Sequence, residues 1–369
     1  MDLYVFDNQF NLHGIIDSFK SLIWRREFYK TGSFELHLNL PEDFKESSDL
    51  LALVQKDRII VKEDSPEEAA YIVGLKFDDK TEDTLVLTGF LIDNFLSERL
   101  IWEETSKTGT AEDVMKYFVE RNAVSPELVR RKLPGLTIST NRNIEIPASE
   151  TNSYGNLAEV IEGLAIKYDM GWRVLFDLAN KQYIFDVFNG RDLSVNQNVN
   201  PRAIFSLEFE NVLEQTYTDS NSGYKNMVLV AGQGEGAARK KVLLNNELEG
   251  FKRKEVFVDA RDLSNVTDNT TLSDEEYEEL LKQRGLTKLS ECRSISTLEG
   301  SIILTSNLVY KVDFDLGDIV TTQNERLGVT LNTRITTVEE VYENDHRDVR
   351  VNFGSNIPTL LEKIEQRMR

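Results

Sequence analysis

Cysteine, histidine and proline are all scarce in this 369-residue chain, which has one, three and seven of them. A single thiol, Cys292, excludes a disulfide framework and any thiolate zinc site. It fits synthesis in a reducing cytoplasm, and it reads as a small apolar filler on a helix face. His13, His37 and His346 lie far apart and form no H-x-x-x-H pair, so each reads as a surface or half-buried strand residue. No metal and no cofactor is expected. There is no G-x-S-x-G elbow and no P-loop. With little proline and ordinary glycine, the composition is neither collagen-like nor that of a disordered chain. The N-terminus "MDLYVFDNQF" lacks a basic region before a long apolar stretch, so no signal peptide is expected. No apolar run approaches the ~20 residues that span a bilayer. The expectation is a soluble chain without membrane insertion.

Positive charge is also short. Sixty-three acidic against 43 basic residues leave a formal charge of −20. Duplex binding needs a basic surface that displaces counterions, so this chain should repel nucleic acid. The clusters Arg130–Lys132, Arg239–Lys241 and Lys252–Lys254 are short and flanked by acids, and they read as solvated faces or interface rims.

Alternating strands dominate what is present. A hydrophobic fraction of 40% supports two to four cored domains. Residues 1–100 contain five or six strands of period 2. In "GSFELHLNL", Phe34, Leu36, Leu38 and Leu40 share one face, while Glu35, His37 and Asn39 share the other. Helical spacing begins after Trp102. Thr110 caps a helix with Asp113 at its third position, and Ser125 and Pro126 open a short one over "SPELVRRKL". Leu157, Val160, Ile161, Leu164 and Tyr168 stripe a longer helix that Gly171 can end. "WRVLFD" and "QYIFDVFNG" form a hairpin.

Strands return at "AIFSLEFENVLEQTYTDS" and "KNMVLVAG". A charged stretch then interrupts them, with one acidic helix opened by Ser273 and Glu276 in capping-box register. That helix can run through Gly285 at a cost of roughly 1 kcal/mol. From Ser301 to Gly354 the order is strand, Leu316-Gly317-Asp318 turn, strand, polar loop, strand, acidic loop, strand. This is the pattern of a small antiparallel barrel without an active-site constellation. "NIPTLLEKIEQRMR" reads as a short amphipathic helix with Leu360, Leu361 and Ile364 on one face, too short to stand alone.

Chemistry-bearing patterns are weak. Gly232, Gly234 and Ala237 match a dinucleotide fingerprint, but strands come after it instead of the helix that would hold a pyrophosphate. Asp313 and Asp315 are expected on one side of a strand, with Val312 and Phe314 on the other, as a solvated face more readily than a cation site. Trp24, Trp102 and Trp172 sit in apolar contexts that suit core.

Three stretches resemble the central hub proteins of phage tails and baseplates: "LTGFLIDNFLSERLIW" with the helix "GTAEDVMKYFVERN" after it, "NMVLVAGQGEGAAR", and "YKVDFDLGDIVTTQNERLGVTLNTRITTVEEVYENDHRDVRVNFG". The resemblance implies an α+β, β-rich multidomain fold with two tube-type antiparallel β-barrels and α+β side domains. On that layout residues 1–100 form the first barrel and 101–200 an α+β side domain. Residues 201–232 and 301–355 form the second barrel, 233–300 an inserted α+β segment, and 356–369 the terminal helix. The resemblance further implies a non-enzymatic homotrimer in the virion tail, assembled in the bacterial host's cytoplasm. It would form a pseudo-sixfold ring between tail-tube or distal-tail proteins and tip or fibre proteins, with DNA passing its acidic lumen unbound. The rival readings are a cell-wall or polysaccharide hydrolase and a carbohydrate-binding adhesin. Interfaces are expected on strand edges, since open edges invite pairing, and Leu36, Leu38, Leu40, Leu316 and Val320 mark the candidate strands.

Overall fold

The computed structural model describes residues 1–40, 43–78, 84–267, 270–343 and 346–354. The fold is α+β and rich in strand. Its first part is a set of antiparallel strands, β1 (Leu3–Phe6), β2 (Leu12–Ile16), β3 (Ser21–Glu27), β4 (Ser33–Asn39), β5 (Ile59–Lys62), β6 (Ser65–Asp78) and β7 (Thr84–Leu91), with helix α1 (Phe44–Leu53) between β4 and β5. The pairing order is β3-β4-β7-β6-β5-β1-β2. Strand β4 keeps the expected alternation: Phe34, Leu36 and Leu38 are buried, Glu35 and His37 half-buried. Leu3 and Val5 from one end of that order share a core cluster with Trp24 and Leu36 from the other. The sheet therefore curls around its own core. Helix α1 is absent from the strand-only reading of this region. It is capped by Asp43, whose carboxylate accepts from the amides of Lys45 and Glu46 at 2.9 and 3.1 Å.

The side unit comprises β8 (Thr105–Thr110), α2 (Ala111–Val119), β9 (Leu136–Ile138), β10 (Pro147–Asn152), α3 (Leu157–Tyr168), β11 (Gly171–Asp177) and β12 (Gln182–Phe188). Thr110 and Asp113 form the reciprocal cap, with the Asp113 amide 3.1 Å from the threonine hydroxyl. β11 and β12 make the expected hairpin, in register from Gly171↔Phe188 to Asp177↔Gln182. This unit packs on the other face of the first sheet: Phe6, Ile59 and Tyr71 cluster with Phe118, Trp172 and Phe185. Strand β5 is thus covered on both faces, which is why it reads as an unbroken apolar run up to Lys62.

Three local expectations fail here for physical reasons. "SPELVRRKL" forms only a short 3₁₀ turn, Val129–Arg131, because Leu128 and Val129 are exposed and offer no apolar face to bury. Helix α3 ends at Asp169 in the left-handed region (φ 54°) and not at Gly171, which opens β11. The Arg334 guanidinium grips the Asp169 carboxylate at 2.7 and 3.1 Å and holds that conformation. Trp102 is 50% exposed, with the Arg131 guanidinium 4.5 Å from its ring, whereas Trp24 and Trp172 are core.

The chain then lays down β13 (Ile204–Phe205) and β14 (Val212–Ser220) and leaves for an insertion. The insertion contains β15 (Met227–Ala231), β16 (Lys241–Leu244), β17 (Glu255–Asp259), the hairpin strands β18 (Val266–Thr267) and β19 (Thr270–Thr271), and helix α4 (Asp274–Glu291). "KNMVLVAG" thus differs from expectation. β15 is the centre of the sheet β16-β15-β17, bound in parallel to β17, rather than a strand of the second barrel. α4, opened by the Ser273–Glu276 capping box, lies across this sheet. A Cβ on its Gly285 would come within 2.8 Å of Val230 and Leu244, so glycine permits the close approach. After Gly232 a loop and a 3₁₀ turn lead straight into β16, leaving no helix of the kind a dinucleotide site needs.

Strands β20 (Ile295–Ile302), β21 (Ile319–Asn324), β22 (Val329–Glu343) and β23 (His346–Gly354) complete the second β unit. Pairing runs β14-β20-β23-β22-β21-β13, and β13 leads back to β14 through a turn pinned by Asn211, whose carboxamide accepts from the Ser206 amide at 2.9 Å. Gln215 of β14 also meets β21, donating to the Gln323 carbonyl at 3.1 Å and accepting from Asn324 at 2.9 Å. The unit returns on itself around Phe205, Leu298, Phe314, Val320, Val351 and Phe353. Asp313 and Asp315 do not lie on a strand face. They sit in turns, where Asp313 accepts from the Val309 amide, Phe314 is buried and Val312 is exposed. The expected terminal helix falls outside the described residues.

Candidate functional site

The two β units are one continuous sheet. Residues 329–334 of β22 pair with β21, 335–343 with β23 and 337–343 with β3. Across this seam Glu340 faces Trp24, and both are fully buried. One Glu340 oxygen accepts from Lys62 Nζ at 2.6 Å and the Tyr342 hydroxyl at 2.7 Å, with Arg347 at 3.3 Å. Its other oxygen accepts from the Tyr310 hydroxyl at 2.8 Å. Lys62 is also fully buried, 5.0 Å from the Trp24 ring centre and 3.3 Å from Glu68. Glu68 is 3.2 Å from Arg26 and 3.0 Å from Lys311, and Arg26 continues to Asp315 at 2.5 Å and to the Tyr310 hydroxyl. Arg347 also reaches Asp64, at 3.7 Å.

Four cations thus interleave with the carboxylates Glu340, Glu68, Asp315 and Asp64 in a seam built from both units. Burial alone would raise the carboxyl values. Arg26, Lys62 and Lys311 overcome it, holding Glu68 at about 2 and Glu340 well below the usual carboxylate range. Sequence reasoning missed this network. Period 2 places Lys62 on the face of buried Ile60, and Glu340 on that of buried Val338 and Tyr342. Charges at inward parity were the available signal.

A second joint ties the side unit to the second β unit. The Arg191 guanidinium meets buried Asp318 at 2.7 Å, and the Arg191 amide donates to the same carboxylate at 2.7 Å. Arg334, itself buried, spans Asp169 and the Gly317 carbonyl at 2.7 and 2.5 Å.

The residues expected at interfaces lie elsewhere than on open edges. Leu36 and Leu38 are core, and β4 is paired on both sides by β3 and β7. Leu40, just past the end of β4, is half-buried, as is Leu316. Val320 is fully buried in β21. Among the described residues, the strands bonded on one side only at the ends of the long sheet are β2, with exposed Leu12 and Ile15, and β14, with exposed Leu213. Edge status is a tertiary property that alternation does not reveal.

The histidines each contact a carboxylate: His13 Asp7, His37 Glu35 and His346 Asp348, at 3.1, 2.6 and 3.0 Å. Cys292 is half-buried at the end of α4, and burial pushes its thiol up. Among the described residues no three His, Cys, Asp or Glu converge as metal ligands.

A family model described as "Siphovirus ReqiPepy6 Gp37-like protein" matches residues 2–355. The chain belongs to that family. Among solved structures, a tail protein from Neisseria meningitidis MC58 superposes with a TM-score of 0.57 at 12% identity, covering 96% of each chain. The 43 kDa tail protein of prophage MuSo2 from Shewanella oneidensis gives 0.56 at 9% identity, over 96% of this chain and 98% of that one. Prophage tail protein gp18 from Listeria monocytogenes EGD-e gives 0.53 at 13%, over 100% and 98%. At such identities the likeness is one of fold, and the fold is that of phage tail proteins. No curated protein matches in sequence.

Next to the first joint, the chain buries a carboxyl with little support. Asp93 is 4% exposed, its one oxygen is 3.4 Å from the Gly32 amide, and its other oxygen has no partner. Burial pushes it up to about 7. Because the folded value exceeds the ordinary 3.8, the folded chain holds the extra proton between those limits, and stability falls as pH rises from about 4 to 7. Asp93→Asn should remove that component. Relative to wild type, the variant should gain about 2–4 kcal/mol between pH 4.5 and pH 8 in urea melts. An equal gap at both pH values would show that Asp93 ionises freely in the fold.

Proposed function

We propose that this protein is a structural hub of a phage or prophage tail tip or baseplate. Three copies close a pseudo-sixfold ring that joins the tail tube to tip proteins and lets DNA pass, and no residue performs bond chemistry. The observation that carries this reading is the single sheet that curls around two separate cores and is locked at their seam by buried charge. Two β units held rigidly in each of three chains supply six similar units around an axis, which suits a part placed between sixfold and threefold neighbours. Membership in a siphovirus family and the tail-protein fold support it. The charge of −20 per chain suits a conduit that does not retain DNA. Host-cytoplasmic assembly and tail partners belong to the same reading.

In this ring the open edge of β2 joins the neighbouring copy, with Leu12 and Ile15 covered. Light scattering of the full chain should give a species of three times 42.3 kDa. Ile15→Lys should shift it toward monomer while leaving the melting temperature within a few degrees, since Ile15 is 47% exposed. A chain that stays monomeric with purified tail-tube and distal-tail proteins present, or a trimer indifferent to Ile15→Lys, would count against the ring and against this edge respectively.

A further inference from the structure

The side unit carries an exposed patch of apolar residues and arginines. Three short segments meet there. The Ile101 amide donates to the Gly155 carbonyl at 2.9 Å, and the Tyr154 amide to the Ile101 carbonyl at 2.7 Å. From the turn Val129–Arg131, Arg131 donates to the Leu100 carbonyl and lays its guanidinium over the Trp102 ring. Residues 99–102 are thus flanked by Tyr154 and by the turn that carries Leu128 and Val129. Leu100, Trp102 and Leu128 are exposed, Val129 is 76% exposed and Tyr154 80%. Tyr154 sits at φ 60°, a region that a bulky aromatic residue adopts only at a cost. The cations here also differ from others in the unit. Arg142 and Arg173 both grip the Asp186 carboxylate. Among the described residues, neither Arg99 nor Arg131 has a carboxylate at ion-pair distance. Arg99 spends its donors on the carbonyls of Arg131 and Glu98, at 2.5 and 2.8 Å. Partial burial and then Arg99 pull the Arg131 guanidinium below its usual range, and Glu103 offsets them only in part.

We infer that this patch seats an acidic segment of a partner protein. Its carboxylates meet Arg131 and Arg99, and its aliphatic side chains cover Leu100, Leu128 and Val129. Charge complementarity selects the occupant: two guanidiniums side by side without a counter-charge favour an anionic group between them. The aliphatic residues select a protein, since a polyanionic backbone or a sugar acid offers nothing to cover them. Trp, Tyr and Arg together are the residue types that anchor protein interfaces. The surface belongs to the side unit alone and stands whether or not three copies form a ring.

Fluorescence anisotropy with the full chain tests this, using two labelled short peptides of the same leucine and phenylalanine residues, one spaced by glutamates and one by lysines. The glutamate peptide should bind at least about tenfold more tightly than the lysine peptide. Arg131→Glu should weaken it at least about tenfold and Trp102→Ala about fivefold, while Arg326→Glu, an exposed arginine between β21 and β22, should leave it within about twofold. Trp24 and Trp172 are core, so an emission shift on binding reports Trp102 and should vanish in Trp102→Ala. No binding of the glutamate peptide up to about 1 mM overturns the proposal, as does equal binding of the lysine peptide or an Arg131→Glu variant that binds like wild type. Polyglutamate or alginate binding as tightly as the glutamate peptide overturns it too and assigns the patch to a bare polyanion or an acidic polysaccharide. Peptide binding reads the side unit and light scattering reads the ring, so the two readings fail separately.

Discussion

Lys62→Met should cost about 3–5 kcal/mol and lower the urea midpoint without changing the slope. The side chains are of similar length, so packing against Trp24 is largely kept. What is lost is the cation 2.6 Å from Glu340 and 3.3 Å from Glu68. Both carboxylates stay in the seam, and Glu340 has no solvent to turn to. Breaking one member of a buried pair strands the other, which costs far more than the net worth of the intact pair.

The acid limb should shift as well. In the wild type, Glu68 and Glu340 have folded values below the ordinary 4.5. Their contribution is therefore complete above that value and is lost only as pH falls through the folded ones, near 2 for Glu68. With Lys62 gone, the carboxyls rise and acid unfolding begins at higher pH. Lys62→Met with Glu340→Gln should recover part of the loss, because no charge is then stranded at 340. A single variant within about 1 kcal/mol of wild type would mean the seam is held by packing alone.

Local physics made much of the fold legible. The alternation of β4, the β11–β12 hairpin, and the caps at Thr110–Asp113 and Ser273–Glu276 all depend on residues within a few positions of one another. The family resemblance drawn from the stretches at 87–122, 226–239 and 310–354 agrees with the family match over residues 2–355. What was not legible depends on distant pairing. β15 has the composition of a barrel strand, and only its parallel partner β17 and the α4 helix place it in the insertion. Lys62 and Glu340 lie 278 positions apart, and their meeting results from β22 pairing with β3. The strand marked for an interface around Leu36 has a regular apolar face, and regular apolar faces are what cores take first, while Val320 is buried because β21 is paired on both sides by β22 and β13.

Gly190→Ala should be nearly as damaging, by roughly 2–4 kcal/mol. A Cβ at 190 would lie 1.9 Å from the Gly317 carbonyl oxygen and 2.4 Å from the Asp318 amide nitrogen. These are backbone atoms, so no rotamer change relieves the clash. Gly317 cannot retreat easily. It sits at φ +92°, and its own missing Cβ would meet the Phe28 ring at 2.6 Å. The segment carrying Gly190 must therefore back away, and it takes Arg191 with it. That loosens the Arg191 amide and guanidinium from Asp318, which then keeps the Asp315 amide at 2.9 Å as its remaining donor. The bonds from the Ile319 amide to the Arg191 carbonyl and from the Leu193 amide to the Ile319 carbonyl, at 2.8 and 2.7 Å, lengthen together. Arg191→Gln separates the two contributions. It removes only a half-exposed guanidinium and leaves the backbone contact intact, so it should cost about 1 kcal/mol or less. If Gly190→Ala proved as mild as Arg191→Gln, the side unit would be held by its shared core with the first sheet, and the close approach at the Leu316–Asp318 turn would carry no strain.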